Sequence, residues 1–156
     1  MKIITFDINK ILVERKQNIL KNLEIKTNLI IEDIKEDFIE TFDSKQPVLK
    51  FDFLFSIDYA PSIAKIEIRG TTITITEKDD KDSILKDWKN KKFQAELKLP
   101  LFNFIMKKCN LKAIELEDEL NLPLHIPFPK LSASIDLDAS KNKDAVKEKK
   151  PANYTG

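Results

Sequence analysis

The run Leu49-Lys50-Phe51-Asp52-Phe53-Leu54-Phe55-Ser56-Ile57-Asp58-Tyr59 sets six apolar residues, Leu49, Phe51, Phe53, Phe55, Ile57 and Tyr59, at every second position. Side chains on a strand alternate between its two faces, so this run predicts one half-buried β-strand. Burial is worth about 1.5–3 kcal/mol for each such side chain, and a one-residue slip would forfeit most of ~10 kcal/mol. The sheet is therefore expected to form around this strand in a single register.

Toward the N-terminus, Leu23, Ile25, Thr27, Leu29 and Ile31 alternate with polar residues and predict a second strand. Before it, Ile4, Phe6 and Ile8 alternate and lead into Ile11, Leu12 and Val13, which predicts a first strand with a bulge near Lys10. On the other side, Pro61-Ser62 turns the central strand into a fourth, in which Ala64, Ile66 and Ile68 share a face. Strands three and four are thus expected to form a hairpin. The apolar phase then changes to Ile73 and Ile75 across Gly70, the only glycine before Gly156; a β-bulge at Gly70, or an ordinary bend, would account for this and curve the sheet. Between Asp33 and Pro47, Ile34, Phe38 and Phe42 fit a helix at steps of four and also continued strand alternation. A partly helical connection is expected there, acidic and aromatic in composition.

After Thr76, a charged stretch ends at Ser83, the expected N-cap of a short amphipathic helix carrying Ile84, Leu85 and Trp88. From about Pro100, Phe102, Ile105, Cys109, Ala113, Leu116 and Leu120 recur at steps of three and four and predict a long helix to about Leu122, stopped by Pro123. Its far face carries Lys107, Lys108, Lys112, Glu115 and Asp118. Pro123, Pro127 and Pro129 then alternate with Leu124, Ile126, Phe128 and Leu131, which requires an extended segment and excludes a central strand. The fold class is α+β: a curved four-stranded antiparallel sheet, a short helix, a long helix and an extended proline-containing segment. Residues 1–137 form one expected domain, and the lysine-rich stretch 138–156 is an expected disordered tail.

The composition narrows the function classes. A net charge of +1 offers no whole-molecule field for a polyanion, and only Arg15 and Arg69 stand among the many lysines, so nucleic acid is not an expected partner. The lone Cys109 cannot form an intramolecular disulfide and fits a reducing compartment, with the cytoplasm as the expected location. No stretch suits a signal peptide or a membrane span. Abundant Lys, Glu and Ile with scarce Gln and Gly fit either a hyperthermophilic source or an AT-rich genome.

No catalytic or cofactor constellation emerges. His125 is the only histidine and lies in a proline-rich segment without a glycine elbow for a serine nucleophile, so a surface or half-buried imidazole is expected. Cys109 falls on the apolar stripe and reads as a core thiol. Phosphate-binding loops need glycines that this chain lacks, and one Cys with one His cannot build a zinc site. Asp79, Asp80 and Asp82 read as a solvated charge run, not a calcium loop. The expectation is no enzyme, no metal and no cofactor. What remains is apolar surface: the Phe38 and Phe42 segment, the strip from Leu124 to Leu131, and the sheet edges, all features that bind polypeptide or pack within the protein or its oligomer.

The order of elements resembles the SecB export-chaperone family. The resemblance rests on the hairpin strand Ile66-Glu67-Ile68-Arg69-Gly70-Thr71-Thr72-Ile73, on Pro100-Leu101-Phe102-Asn103-Phe104 at a helix start, and on Leu120-Asn121-Leu122-Pro123 running into Ile126-Pro127-Phe128-Pro129. It spans roughly residues 4–131 and points to a divergent, archaeal or thermophilic member. It implies an ATP-independent holdase that binds unfolded polypeptides or preproteins and assembles as a dimer of dimers, with translocation machinery as a possible partner. Because residues 16–22 are short and polar where that family carries an aromatic crossover, the client-binding candidates become Phe38, Phe42, Leu124, Ile126, Phe128 and Leu131. Phe102, Ile105 and Cys109 are the candidates for the subunit interface. The alternative is a non-catalytic adaptor that binds one protein partner.

Overall fold

The computed structural model describes residues 1–18, 22–40, 42, 44–91 and 95–130. The chain divides into two units, Met1–His125 and Ile126–Gly156. The first holds β1 (Lys2–Arg15), β2 (Glu24–Glu40), β3 (Lys45–Ala60), β4 (Ala64–Ile75), α1 (Lys78–Lys89) and α2 (Ala95–Glu119). In the second, Ile126–Lys130 carries neither helix nor strand, and the expected tail at 138–156 lies outside the described residues.

The four strands form one antiparallel sheet in the order β1-β4-β3-β2. β3 and β4 are central because both are apolar enough to be buried, whereas the more polar β1 and β2 form the edges. The alternation that opened the sequence reading is fully realised: Leu49, Phe51, Phe53, Phe55, Ile57 and Tyr59 are all buried on one face. Across the hairpin turn at Pro61-Ser62, β4 adds Ala64, Ile66, Ile68, Thr72 and Thr74 to that face. Ile84 of α1 and Leu101, Ile105, Cys109, Ala113 and Leu116 of α2 join the same buried cluster. The opposite face is laced by polar contacts: Asn9 Nδ2 donates to Thr71 Oγ1 at 2.9 Å, Thr71 Oγ1 donates to Asp52 Oδ1 at 2.8 Å, and Arg69 pairs with Glu32.

Gly70 is not the site of a bulge. Pairing with β3 runs through it unbroken, from Leu54 opposite Arg69 to Asp52 opposite Thr71. The irregularity lies on β1, between Ile8 opposite Gly70 and Lys10 opposite Arg69, so that Asn9 is the extra residue, close to where the sequence predicts it. The change of apolar phase has a plainer cause: Thr72 and Thr74 take the buried face, while Ile73 and Ile75 lie on the other. Glycine is needed at position 70 for space. A Cβ there would stand 2.4 Å from the Asp7 carbonyl oxygen and 2.6 Å from the Phe53 ring. Phe53 instead reaches over the gap and stacks on Phe6 of β1, with centroids 5.3 Å apart, and Phe6 meets Phe104 of α2 edge-on at 5.8 Å.

The helical connection expected between Asp33 and Pro47 is absent from Asp33–Glu40, because β2 continues to Glu40 and pairs Ile34 with Phe51 and Phe38 with Pro47. One extra residue, Glu32, separates the two registers and moves the buried phase from Ile31 to Ile34. Ile34 and Phe38 stand four apart, a spacing that a strand and a helix both produce. α1 also starts earlier than the expected cap at Ser83. It begins at Lys78, with Asp79 and Asp80 in the first turn and Lys86 and Lys89 in the last, each sign opposing the helix dipole. Lys81 reaches β2 and pairs with Glu36 at 2.5 Å. α2 begins at Ala95, which leaves Pro100 inside the helix without an N–H to donate and not at its first turn. Its end is set by Asn121, whose φ of 51° is left-handed; the Asn121 N–H donates to Asp118 O at 3.2 Å and the Leu122 N–H to Glu117 O at 2.8 Å. These two bonds form a Schellman cap, and Leu122 is buried behind it.

Gly70→Ala is expected to destabilise the chain by about 2 kcal/mol or more, because one of the two colliding groups is backbone and cannot swing aside. The decisive measurement is the denaturant midpoint. An unchanged midpoint would mean that Phe53 and Phe6 need not stack for the sheet to close.

Candidate functional site

The ladder of fours that buries α2 runs Leu101, Ile105, Cys109, Ala113 and then reaches Glu117. A carboxylate thus occupies a core position and has to be satisfied there. Glu117 is fully buried, and its Oε1 accepts from the Tyr59 hydroxyl at 2.5 Å, from the His125 ring Nδ1 at 2.7 Å and from the His125 backbone N–H at 3.2 Å. His125 Nε2 lies 3.0 Å from Asn110 Oδ1, and Phe55 packs edge-on to the imidazole at 6.4 Å. The Tyr59 oxygen also lies 3.0 Å from the Pro123 carbonyl. Burial, and secondarily the Glu117 carboxylate, push the Tyr59 hydroxyl well above its ordinary range, so it remains a donor.

This cluster corrects the reading of His125 as a surface or half-buried imidazole. Its side chain is 3% exposed, within a closed network that ties the end of β3, the last turns of α2 and the chain beyond it. Chemically, the arrangement can hold protons and orient a backbone turn; the burial of Glu117 and His125 leaves no room for a substrate between them. The sequence carried a signal for it, since Glu117 falls where the apolar ladder calls for another hydrophobe. Tyr59 was visible only as the last apolar rung of β3, and nothing in the sequence pairs it with Asn110 or His125.

The residues expected to bind clients do not share one groove. Phe38 pairs with Pro47 at one end of β3, while Leu124 follows Pro123, which meets Tyr59 at the other end, so about 40 Å of strand separates them at ~3.3 Å per residue. Phe38 is 54% exposed, and Phe42 and Phe128 are exposed as well. Leu124 is also exposed and Ile126 half-buried, while Leu131 lies outside the described residues. The interface candidates lie in or against the core of this chain. Ile105 and Cys109 are completely buried beneath this chain's own sheet, with Phe102 half-buried against the same cluster, so no second copy is needed to cover them.

Other apolar side chains stand exposed on the β1 edge. Ile8 and Ile11 project from the helix-covered face of β1, opposite Gly70 and Ile68. That stretch lies between two attachments of β1 to α2, the Phe6–Phe104 contact and the bond from Arg15 Nη1 to Leu120 O at 2.8 Å. Leu111, 61% exposed, occupies the corresponding stretch of α2. A recess of ≈ 290 Å³ by the β3–β4 turn is lined by Lys16, Ser62 and Lys65, but both amines are engaged, Lys16 with Glu14 at 3.7 Å and Lys65 with Glu67 at 2.7 Å. Among the described residues, no helix is long and apolar enough to cross a membrane.

Comparison with protein-family models, with curated proteins and with solved structures finds no match for this chain.

Burial pushes the Cys109 thiol up to about 12, so the native chain keeps it protonated and shielded near pH 8. Alkylation by iodoacetamide is expected to be more than about a hundredfold slower in the native protein than in denaturant. The unfolded chain releases this proton at a lower pH than the folded one, and the same holds for the Tyr59 hydroxyl. Folding stability should therefore fall as the pH rises through the alkaline range. Rapid native alkylation would place Cys109 at an accessible surface and restore it as an interface candidate.

Proposed function

We propose that this chain is a SecB-like, ATP-independent holdase that binds non-native polypeptide. The observation that carries the reading is apolar exposure on both sheet edges: Ile8 and Ile11 on β1, and Ile30 and Phe38 on β2. An edge strand offers unpaired backbone groups to an extended chain, and exposed aliphatic and aromatic side chains accept its residues with little sequence preference. The four-stranded antiparallel sheet followed by two helices agrees with the fold that the resemblance implies. Assembly as a dimer of dimers, a cytoplasmic location and delivery of preproteins to translocation machinery belong to the same proposal. So do Phe42, Leu124, Ile126 and Phe128 as contacts to a client.

The test dilutes chemically denatured, aggregation-prone proteins into stoichiometric amounts of this chain without ATP and follows light scattering. Suppression near one oligomer per client, for several unrelated clients, is the expected result. The double substitution Phe38→Ser and Phe42→Ser should weaken suppression by about tenfold while leaving the thermal midpoint nearly unchanged, because both side chains are exposed. Scattering that proceeds unhindered for every client would overturn the holdase reading in favour of an adaptor for one partner.

A further inference from the structure

The turn that follows α2 is anchored by one side-chain oxygen. Glu117 Oε1 receives the Tyr59 hydroxyl, the His125 ring Nδ1 and the His125 backbone N–H, while its Oε2 is buried without a partner. An ionised carboxylate only accepts, so Nδ1 carries a proton. On its other side the ring is held by Asn110, whose Oδ1 lies 3.0 Å from Nε2.

Among the described residues, the neighbouring elements bring few other polar groups to this pair. From β3 come the Tyr59 hydroxyl and the edge of Phe55. β2 and β4 flank Tyr59 with Ile25 and Ala64, its register partners. β1 brings Arg15, whose Nη1 donates to the Leu120 carbonyl and whose guanidinium keeps its charge. α2 itself contributes Asn110.

We propose that Glu117 and His125 form a charge-dependent latch: the ionised carboxylate holds the turn Leu122–His125 against the end of β3, and protonating it frees that turn. A neutral carboxyl accepts more weakly than a carboxylate, so the three bonds that end on Glu117 Oε1 weaken together. Acid therefore opens the latch. The opening is local, because the cap bond from the Leu122 N–H goes to the backbone oxygen of Glu117 and is unaffected by the proton. This inference does not depend on what the protein binds.

The His125 amide is the direct reporter, since its hydrogen bond ends on Glu117 Oε1. Amide exchange of the full chain, followed by NMR from neutral to acidic pH and corrected for intrinsic rates, should show His125 losing at least about tenfold of its protection before the Phe53 and Phe55 amides lose any. Glu117→Gln should leave the His125 amide poorly protected already at neutral pH and abolish the acid step. Tyr59→Phe keeps the ring but removes one donor that favours the carboxylate, so the step should move toward neutral pH; this variant carries the test if Glu117→Gln does not fold. Loss of protection at His125 and Phe55 in one common transition would overturn the latch, as would an acid step that survives Glu117→Gln or stays in place in Tyr59→Phe.

Discussion

The sheet depends on a space left empty. At Gly70 the absence of a side chain lets the Phe53 ring lie across β4 and stack on Phe6, which in turn meets Phe104 on α2. Three elements far apart in sequence, β3, β1 and α2, are thereby joined through aromatic contacts worth about 0.5–1.5 kcal/mol each beyond their buried area. The register of β1 follows from the same site, because the extra residue Asn9 sits directly after the Ile8–Gly70 pair. Asn9 then donates to Thr71 on the opposite face, so the bulge that accommodates the aromatic stack also begins the polar chain to Asp52.

Most of this architecture could be read from alternation alone. The rungs from Leu49 to Tyr59 are buried as the period of two demands, the hairpin turns at Pro61-Ser62, and Ile84, Leu85 and Trp88 pack as a short helix should. The strand readings that failed did so for separate reasons. Ile34 and Phe38 stand four apart, a spacing that a helix and a strand share, although both continue β2. At Gly70 the cause was different. An unbroken strand looked irregular because threonines, not isoleucines, occupy its buried positions 72 and 74.

The polar core was less legible for a different reason. Glu117 stands out in the four-residue ladder of α2, but its partners arrive from separations of 58 and 8 residues, which no local pattern encodes. Its energetic role also differs from that of the many surface ion pairs. Lys26–Glu24, Lys45–Glu40 and Lys16–Glu14 are solvent-exposed and contribute little, in the usual range of ~0–1 kcal/mol. Glu117 and His125 are removed from water together, so either one alone would be strongly unfavourable. The pair stabilises the fold mainly by making its own separation costly. It marks where the chain must turn after the Schellman cap, which is a statement about specificity of conformation more than about net stability.

The two sheet edges pose the remaining physical question. Long edge strands invite association, and proteins commonly blunt them with bulges and charge. Both devices are present here: β1 carries register shifts at Ile4 and Asn9, and β2 carries one at Glu32 within a run that also holds Glu36, Asp37 and Glu40. Yet Ile8 and Ile11 on β1 and Phe38 on β2 remain exposed beside these protections. An edge that were purely a hazard would gain most from a polar residue in place of Phe38, the most exposed of the three. Bulges interrupt the backbone ladder that indiscriminate strand pairing needs, while the apolar side chains stay available to a partner recognised through them. That combination fits the proposed reversible uptake of polypeptide better than it fits strand addition without limit.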